Sequence, residues 1–436
     1  MARSLLFFLL LLLFACNNLE DATVPERQTF IRFFGSARSY SAVAVEPDAD
    51  GGFVMIGNAE PLEGSTDDIL SKPGIIIVKT NSQGTKIWEQ TIKSANAHAI
   101  KPLANGYLLT AEGIELNPSS TESSEFVNSQ FLLLQLSASG DEVKRFAKDS
   151  SIVATRGTDQ VTLKVDFSAN SSVLLANNQV ATLGSYKVPG SQERTITYGF
   201  DLADITKPVW RKNLDLFNFD YVSTDYLGLS MGNLVWASTA TPQDANQSKY
   251  VSVISIPPNF ASPSNNSLFG KNDDTGGHDV HDIQPSATGF GMIGTYINKA
   301  GNKNVFFAKV DPAGNISEAT ARYFDGVDNL IDKVTPGTSQ DEGTALTYTK
   351  DGGFVLACAM AENPFTGNGG TDIVLIKIDA FGNFIWSKLL GGGGDEVATS
   401  IRELSDGTLL ISGTSSISNV SSMFIIRSDG SGNLKD

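Results

Sequence analysis

Cysteine and histidine are scarce in this chain of 436 residues, which contains two cysteines and three histidines. The cysteines are Cys16, near the amino terminus, and Cys358. If Cys16 is modified, no partner remains for a disulfide within one chain, and Cys358 is expected to pack as a small buried apolar residue. A thiol nucleophile would need a histidine nearby, and the histidines lie elsewhere in the sequence. Thiol catalysis is therefore not expected.

Several other signatures are missing. The sequence has no GxSxG elbow, no Walker-type phosphate loop and no HExxH zinc motif. Helical periodicity is nearly absent, and beyond the first 15 residues no apolar stretch is long enough to cross a bilayer. The 48 Asp and Glu residues outnumber the 32 Lys and Arg residues, which gives a formal net charge of −16. An acidic surface repels phosphate backbones, so a nucleic-acid partner is not expected.

What the chain does contain is a repeat, which is clearest in the segment 351–394. This segment has three short apolar runs separated by turns rich in Gly, Asp and Asn, the pattern of antiparallel strands joined by tight turns. Its first run recurs at 51–57, 106–111, 179–184, 233–238, 289–294 and 407–413. Its second run recurs at 75–84, 131–140, 196–202, 250–256, 305–314 and 423–432. Each series therefore has seven members.

Repeats of this size predict four-stranded blades of a β-propeller. The segment 30–57 aligns with 386–413, so 29–34 is predicted to be an outer strand with no preceding blade of its own. The last repeat ends where its outermost strand should begin. Pairing of the strand at 29–34 with the last repeat would close the ring and remove exposed sheet edges. The prediction is an all-β protein with one seven-bladed propeller domain over 29–436; six or eight blades are the alternatives if the weaker repeats divide differently.

The amino terminus resembles a secretory signal, because Arg3 precedes an apolar run over 5–14 that is too short for a membrane span. The end of this run, Leu13–Cys16, resembles the lipobox of bacterial lipoproteins, in which the cysteine is lipidated and becomes the first residue of the mature chain. The resemblance implies a signal peptide over 1–15, a lipid on Cys16 and a flexible tether over 16–28. The alternative is an ordinary signal peptide that is cleaved after Ala15.

The residues after Cys16 bear on the location of such a lipoprotein. Position 17 is Asn rather than Asp, so the usual inner-membrane retention signal is absent and the outer membrane of a Gram-negative bacterium is the expected location. Glu20 and Asp21 resemble the acidic signal that some lineages use for export to the cell surface. Exposure at the cell surface is therefore favoured over the periplasm; the alternative is that these residues only form part of the tether.

Blade topology divides the loops between two faces. The turns that join the first strand to the second and the third to the fourth are short, whereas second-to-third loops such as 58–73, 113–129 and 361–371 are long and varied. Variable loops on a constant scaffold usually carry binding, so this long-loop face is predicted to contact a ligand or partner.

Charged residues in matching positions precede several inner strands on the long-loop face: Asp341 and Glu342 align with Asp395 and Glu396, and with His278 and Asp279. The candidate channel-mouth binding residues are Asp341, Glu342, Asp395, Glu396, His278 and Asp279. Acidic groups around one opening predict a site for calcium or another cation, or a pocket for a basic ligand. The alternative is that they are solvated turn residues that bind backbone amides. No other cofactor is expected.

The segment 272–282 is the densest polar cluster and contains two of the three histidines. His278, His281 and Asp282 could ligate zinc or another transition metal. Against this, His281 lies inside a predicted strand, where neighbouring side chains point to opposite sides. A metal site and an ordinary polar strand therefore both stay open.

The pattern GGFVxxG followed by IVxIKxDxxGNxxW resembles the repeat of bacterial secreted and lipoprotein β-propellers, and its DxxGxxxW part is similar to quinoprotein-type repeats. The resemblance covers nearly all of 29–436 and implies architecture rather than activity. The adjacent cysteines of quinoprotein dehydrogenases are absent, which disfavours their cofactor. The predicted function is a noncatalytic binding or scaffold propeller for a protein or glycan partner at the outer membrane. The alternative is a polysaccharide-active hydrolase or lyase with carboxylates at the central channel.

Overall fold

A computed structural model describes most of the chain from Thr29 onward. The described residues are 29–35, 38–116, 126–148, 151–156, 159–187, 193–213, 220–230, 232–242, 248–256, 265–270, 276–325, 329–331, 340–361 and 370–434. The predicted signal peptide, the predicted lipidation at Cys16 and the predicted tether over 16–28 lie outside these residues. Within them the chain forms strands and turns, and no helix there is long and apolar enough to cross a membrane.

Seven antiparallel sheets follow one another along the described chain and form a seven-bladed β-propeller, which confirms the predicted fold class. The first strand is β1 (Phe30–Phe34). Blades 1 and 2 comprise β2 (Tyr40–Pro47), β3 (Phe53–Ala59), β4 (Gly74–Thr80), β5 (Lys86–Lys93), β6 (Ala95–Leu103), β7 (Gly106–Leu116), β8 (Phe126–Leu136) and β9 (Glu142–Lys148). A hairpin follows, with β10 (Ser151–Arg156) and β11 (Asp159–Lys164). The sequence analysis did not predict this hairpin.

The remaining blades repeat the same order of strands. Blades 3 and 4 comprise β12 (Asp166–Leu175), β13 (Gln179–Lys187), β14 (Glu193–Asp201), β15 (Trp210–Asn213), β16 (Asp220–Ser230), β17 (Asn233–Thr241), β18 (Tyr250–Ile256) and β19 (Asn265–Phe269). Blade 5 comprises β20 (Gly276–Ser286), β21 (Gly289–Asn298), β22 (Lys303–Val310) and β23 (Ile316–Asp325), and it adds a fifth strand, β24 (Asn329–Ile331). Blades 6 and 7 comprise β25 (Glu342–Tyr348), β26 (Phe354–Met360), β27 (Asp372–Ile378), β28 (Phe384–Leu390), β29 (Asp395–Glu403), β30 (Leu409–Ile417) and β31 (Val420–Ser428).

Burial follows the order of strands within a blade. All seven residues of β4 and all seven of β27 are buried, because a third strand packs against neighbouring blades on both of its faces. The outer strand β5 has no buried residue. The apolar cores therefore lie between successive blades, and the outermost strands form the rim of the propeller.

The ring is closed by β1, which is the outer strand of blade 7. Phe30 pairs with Arg427 and Phe34 pairs with Met423, in an unbroken antiparallel register with β31. Strand β1 therefore completes a sheet whose other three strands come from the opposite end of the described chain. This pairing confirms the predicted closure, which removes an exposed edge from each of the two chain ends.

The glycines that end the turns between third and fourth strands have a packing role. At Gly84 φ is 72°, a left-handed value that favours glycine. A Cβ atom at Gly84 would lie 2.4 Å from Cε2 of Phe30, and one at Gly140 would lie 2.8 Å from Cζ3 of Trp88. Because each of these glycines has no side chain, its turn can pack closely against the outer strand of the preceding blade. The glycine repeat is thus a requirement of packing between blades.

Acidic residues of the repeat hold the same turns. In blade 6, Asp379 Oδ1 accepts backbone N–H bonds from Phe381 at 2.8 Å and from Asn383 at 2.8 Å. The nearly buried Lys377 extends from β27 to Asp351 Oδ1 at 2.8 Å, and in blade 1 Lys79 extends to Asp50 Oδ1 at 2.7 Å. These carboxylates stabilise turns, so the Asp and Lys of the repeat belong to the scaffold.

Candidate functional site

Every inner strand has a β-bulge or irregularity at an equivalent place. In six blades the bulge adds one residue to the inner strand, opposite a position near the middle of the second strand. The inserted residues are Val43, His98, Asn170, His281, Thr344 and Thr399. In blade 4 the register shifts between Val222 and Tyr226. A bulge changes the direction of the extra side chain relative to the regular alternation of side chains along the strand. All six inserted residues line the central channel.

The central channel is a cavity of about 660 Å³ with wall residues from the inner strands of all seven blades. The bulge residues form one layer of this wall, which we call the bulge ring. Small residues flank most of its members, as Ala42 and Ala44 flank Val43, and Ala97 and Ala99 flank His98. Small flanking residues leave space in the middle of the propeller where the inner strands converge.

A second layer of the wall is ionic. Three positions after the bulge, blades 1, 2 and 7 carry Glu46, Lys101 and Arg402. Glu46 Oε1 lies 2.7 Å from Lys101 Nζ and 3.2 Å from Arg402 Nη2. Burial alone would raise the pKa of Glu46, but the charges of Arg402 and Lys101 outweigh burial and lower this pKa to about 2. Glu46 is therefore ionised and paired with both cations at neutral pH.

Asp282 is a second carboxyl group of the channel wall. Burial raises its pKa, although the charge of Arg402 and hydrogen bonds from neighbouring donors act in the opposite direction. The donors are the backbone N–H of Leu346 in blade 6, at 3.2 Å from Oδ2, and Nε2 of Gln284, at 2.9 Å from Oδ1. Asp282 thus connects blade 5 to blade 6 at the edge of the channel.

Two of the three histidines belong to the bulge ring, His98 in blade 2 and His281 in blade 5. Burial lowers the pKa of His281, and the charges of Glu342 and Asp279 only partly offset this. His281 is therefore a neutral imidazole at neutral pH, with one nitrogen able to donate and one able to accept. His98 Nε2 lies 3.6 Å from Glu112 Oε2 of the same blade.

The third histidine, His278, lies away from the channel wall. It is fully buried, with ring centroids of Phe269 and Tyr296 at 4.8 and 4.9 Å, and its Nε2 is 3.1 Å from the hydroxyl of Tyr323. His281 and Asp282 line the channel instead, so the three predicted metal ligands do not share one environment. Among the residues that the structure describes, no group of three or more His, Cys, Asp and Glu side chains is placed to hold a metal ion.

The predicted channel-mouth carboxylates occupy two kinds of position. Asp341 and Glu396 are buried, like His278, and the backbone N–H of each of these three residues donates to a carbonyl beside the third strand of the preceding blade. The residue equivalent to Asp341 in blade 7 is therefore Glu396, and the sequence alignment with Asp395 was one residue out of register. The four consecutive glycines at 391–394 contain no side chain that could have indicated the correct register.

The remaining mouth residues are engaged in contacts between blades. Lys249 lies 3.2 Å from Asp279 Oδ1, and Lys303 forms an ion pair with Glu342. Asp395 Oδ1 accepts a hydrogen bond from the backbone N–H of Thr371 at 2.9 Å. These partners neutralise or bind the mouth carboxylates, and calcium binding there stays a prediction.

The bulge ring was missed by the sequence analysis. A signal for it exists in retrospect, because the triplets AVA, AHA and ATS at 42–44, 97–99 and 398–400 each place a larger residue between two small ones. The pattern is short and alternates in the same way as an ordinary strand. Only the pairing register shows that the middle residue is inserted.

The ionic layer makes stability depend on pH. The pKa of Glu46 is lower in the folded protein than its ordinary value near 4.5, so its stabilising effect is complete above that value and is lost as pH falls through about 2. Between about pH 6 and about pH 3 we expect wild type to lose about 2 kcal/mol more unfolding free energy than Glu46→Gln. Urea unfolding at both pH values measures the difference.

A control for this pH effect is Glu142→Gln, which removes an exposed carboxylate from the outer strand of blade 2. It should retain the pH dependence of wild type. Equal pH dependence in wild type and Glu46→Gln would contradict the assignment of the low pKa to the ionic layer.

Comparison with known proteins adds little beyond the fold. No protein-family model matches the sequence, and no curated protein matches it. Among solved structures, the chain is similar to a Dyadobacter fermentans protein of unknown function, with 9% identity, TM-score 0.46 and coverage of 91% of this chain and 98% of that one. It is similar to a subtype N11 neuraminidase-like protein of A/flat-faced bat/Peru/033/2010 (10% identity, TM-score 0.44, coverage 93% and 95%).

A Trypanosoma rangeli sialidase is a third similar structure, with 10% identity and TM-score 0.42. The match covers 90% of this chain and 55% of the sialidase, so the chain spans about half the length of that protein. Likenesses at this level carry no information on activity. The fold and the channel together define the class: a seven-bladed β-propeller with ionic pairs in the wall of its central channel.

Proposed function

We propose that the protein is a lipid-anchored, noncatalytic binding propeller that takes the end of a glycan chain into its central channel. The observation that carries this proposal is the wall of the channel. Hydroxyl, amide and imidazole groups of the bulge ring surround a cavity of about 660 Å³. Cavities of about 300–1,000 Å³ are typical sites for small ligands, and a sugar hydroxyl can both donate to and accept from such groups.

The ionic layer supports a neutral, hydroxyl-rich ligand over an ion. Lys101 and Arg402 pair with Glu46, and the charge of Arg402 also acts on Asp282, so two cations face two carboxyl groups in the channel wall. Their remaining lone pairs and N–H groups can still form hydrogen bonds with hydroxyls. The layer lies toward the carboxyl ends of the inner strands, and the long-loop face lies at their amino ends. A glycan that enters from the long-loop face would meet the bulge ring first.

Cys16 supplies the anchor in this proposal. Its acyl chains would hold the protein on the outer membrane, at the cell surface rather than in the periplasm, and 16–28 would act as the tether. A protein partner could bind the long-loop face at the same time as a glycan, because the channel occupies only the centre of that face.

Binding of soluble oligosaccharides by the purified protein tests the glycan site. The variant Ala99→Trp places a large side chain beside the bulge ring, and we expect it to weaken oligosaccharide binding by more than about tenfold, because the side chain then occupies part of the cavity. Lys299→Trp, on an exposed turn of blade 5, is the matched control and should bind as wild type does. Isothermal titration calorimetry measures both. Unchanged affinity in Ala99→Trp would place the ligand outside the channel and contradict the proposal.

A hydrolase is the second candidate, and one observation favours it. Glu46 and Asp282 line the same channel with pKa shifts in opposite directions, an arrangement that can provide a base and an acid. The pairing of Glu46 with two cations disfavours it as a base. The same oligosaccharides distinguish the candidates: cleavage that disappears in Asp282→Asn would establish hydrolysis, and intact saccharides after long incubation would support binding alone.

A further inference from the structure

The rim of the propeller differs in charge from the rest of the chain. The fourth strands of the blades, β1, β5, β9, β15, β19, β23 and β28, contain ten Lys and Arg residues and four Asp and Glu residues. The whole chain has 32 basic and 48 acidic residues, so 22 basic and 44 acidic residues lie outside these strands. A positive rim on an acidic protein attracts an anionic surface, and only over short distances because salt screens the attraction within about 10 Å.

One arc of this rim is also apolar. It consists of β28 of blade 6, β1 of blade 7 and β5 of blade 1, and we call it the docking arc. Its exposed apolar side chains are Ile31 (39%), Phe33 (63%), Ile87 (57%), Phe384 (36%) and Ile385 (50%). Its basic residues are Arg32, Lys86, Lys93 and Lys388; Lys86 forms an ion pair with Glu89 of the same strand, and Lys93 forms one with Asp68. Exposed large apolar residues among basic ones are characteristic of surfaces that bind membrane interfaces.

The three strands of the docking arc are held together by the turns between them. The turn at Gly84 packs on Phe30 and Arg32 of β1, and the turn at Gly432 packs on Lys388 of β28. Arg427 of blade 7 donates to the carbonyl of Ser82 in blade 1 at 3.2 Å. The arc is therefore a continuous surface across three blades rather than three separate strands.

The position of the amino-terminal segment indicates what covers the arc. Strand β1 begins at Phe30, and Cys16 precedes Thr29 by 13 residues. A fully extended chain of that length spans at most about 45 Å, so an acyl anchor on Cys16 would keep blade 7 close to the bilayer. We propose that the docking arc lies on the membrane, with its apolar side chains in the headgroup region and its basic residues on anionic lipid phosphates.

The docking arc has a consequence for the channel. An arc on the rim places the membrane beside the propeller, so both mouths of the channel stay open to solvent. The tether alone would allow any face to turn toward the bilayer. This inference uses the proposed anchor for proximity only, since the charge and exposure of the arc belong to the folded domain.

Vesicle sedimentation with the mature chain, residues 16–436, carrying Cys16→Ala tests the arc without the lipid and without the apolar signal peptide over 1–15. We expect binding to vesicles of phosphatidylethanolamine with phosphatidylglycerol, no binding to phosphatidylcholine vesicles, and loss of binding at high salt. Arg32→Glu with Lys388→Glu should weaken the binding by more than about tenfold, and Phe33→Ser with Ile385→Ser by about tenfold.

Matched controls lie on the long-loop face. Ile417→Ser with Val420→Ser removes two exposed apolar residues of blade 7, and Lys299→Glu reverses a charge in blade 5; neither should change vesicle binding. Failure of the Cys16→Ala protein to bind the anionic vesicles would overturn the proposal, as would equal binding by the arc variants and wild type. Because oligosaccharide binding is measured separately, failure of the glycan proposal would leave this result unaffected, and the reverse holds too.

Discussion

Replacement of both Phe30 and Phe34 by alanine is expected to lower the free energy of unfolding by about 6 kcal/mol, because each buried Phe→Ala change costs about 3–5 kcal/mol. Both rings are more than nine-tenths buried and belong to one core with Tyr40, Phe53 and Met55. Strand β1 holds blade 7 closed, so the loss also frees one edge of β31. Domains commonly have 5–15 kcal/mol of stability in total, so the double variant should be largely unfolded or close to it.

Phe33 provides a control within the same strand. It is 63% exposed and contacts Phe424 with ring centroids 6.2 Å apart, so Phe33→Ala should cost less than about 1 kcal/mol. Denaturant unfolding followed by tryptophan fluorescence measures all the variants. A loss below about 2 kcal/mol in the double variant would show that closure by β1 contributes little to stability.

Arg402→Met is expected to lower the free energy of unfolding by about 3 kcal/mol, because it leaves the largely buried Glu46 with one cation instead of two. Asp282 would lose the same positive charge, since Arg402 acts on both carboxyl groups. The double variant Glu46→Gln with Arg402→Met removes one charge of each sign and should be more stable than Arg402→Met alone. The interaction energy of this double-mutant cycle measures the coupling between blades 1 and 7.

Arg145→Met is the matched control for Arg402→Met. Arg145 also pairs with a glutamate, Glu142, at 2.7 Å, but both side chains are more than one-third exposed. Pairs of this kind contribute about 0–1 kcal/mol, so the control should remain near wild type. If Arg402→Met were as stable as Arg145→Met, the ionic layer would not stabilise the centre of the propeller.

Most of the candidate site could not be predicted from the sequence. His278, Asp279, His281 and Asp282 are close in sequence, yet His278 packs against Phe269 and Tyr296 while His281 and Asp282 line the channel. The bulge at His281 separates the two environments, and bulges have no strong sequence signal. The contact between Glu46 and Arg402 joins residues 356 positions apart in the chain, and it forms only because the ring is closed.

The sequence by itself determined the class of fold, the seven repeats and the pairing of β1 with the last blade. These features depend on local alternation, on glycine and aspartate in turns, and on repetition, which are all visible along the chain. The tertiary structure alone decided which side chains meet in the channel, because seven inner strands far apart in sequence converge there and a shift of one residue turns a side chain to another face. The bulge ring and the ionic layer follow from that register and from closure of the ring.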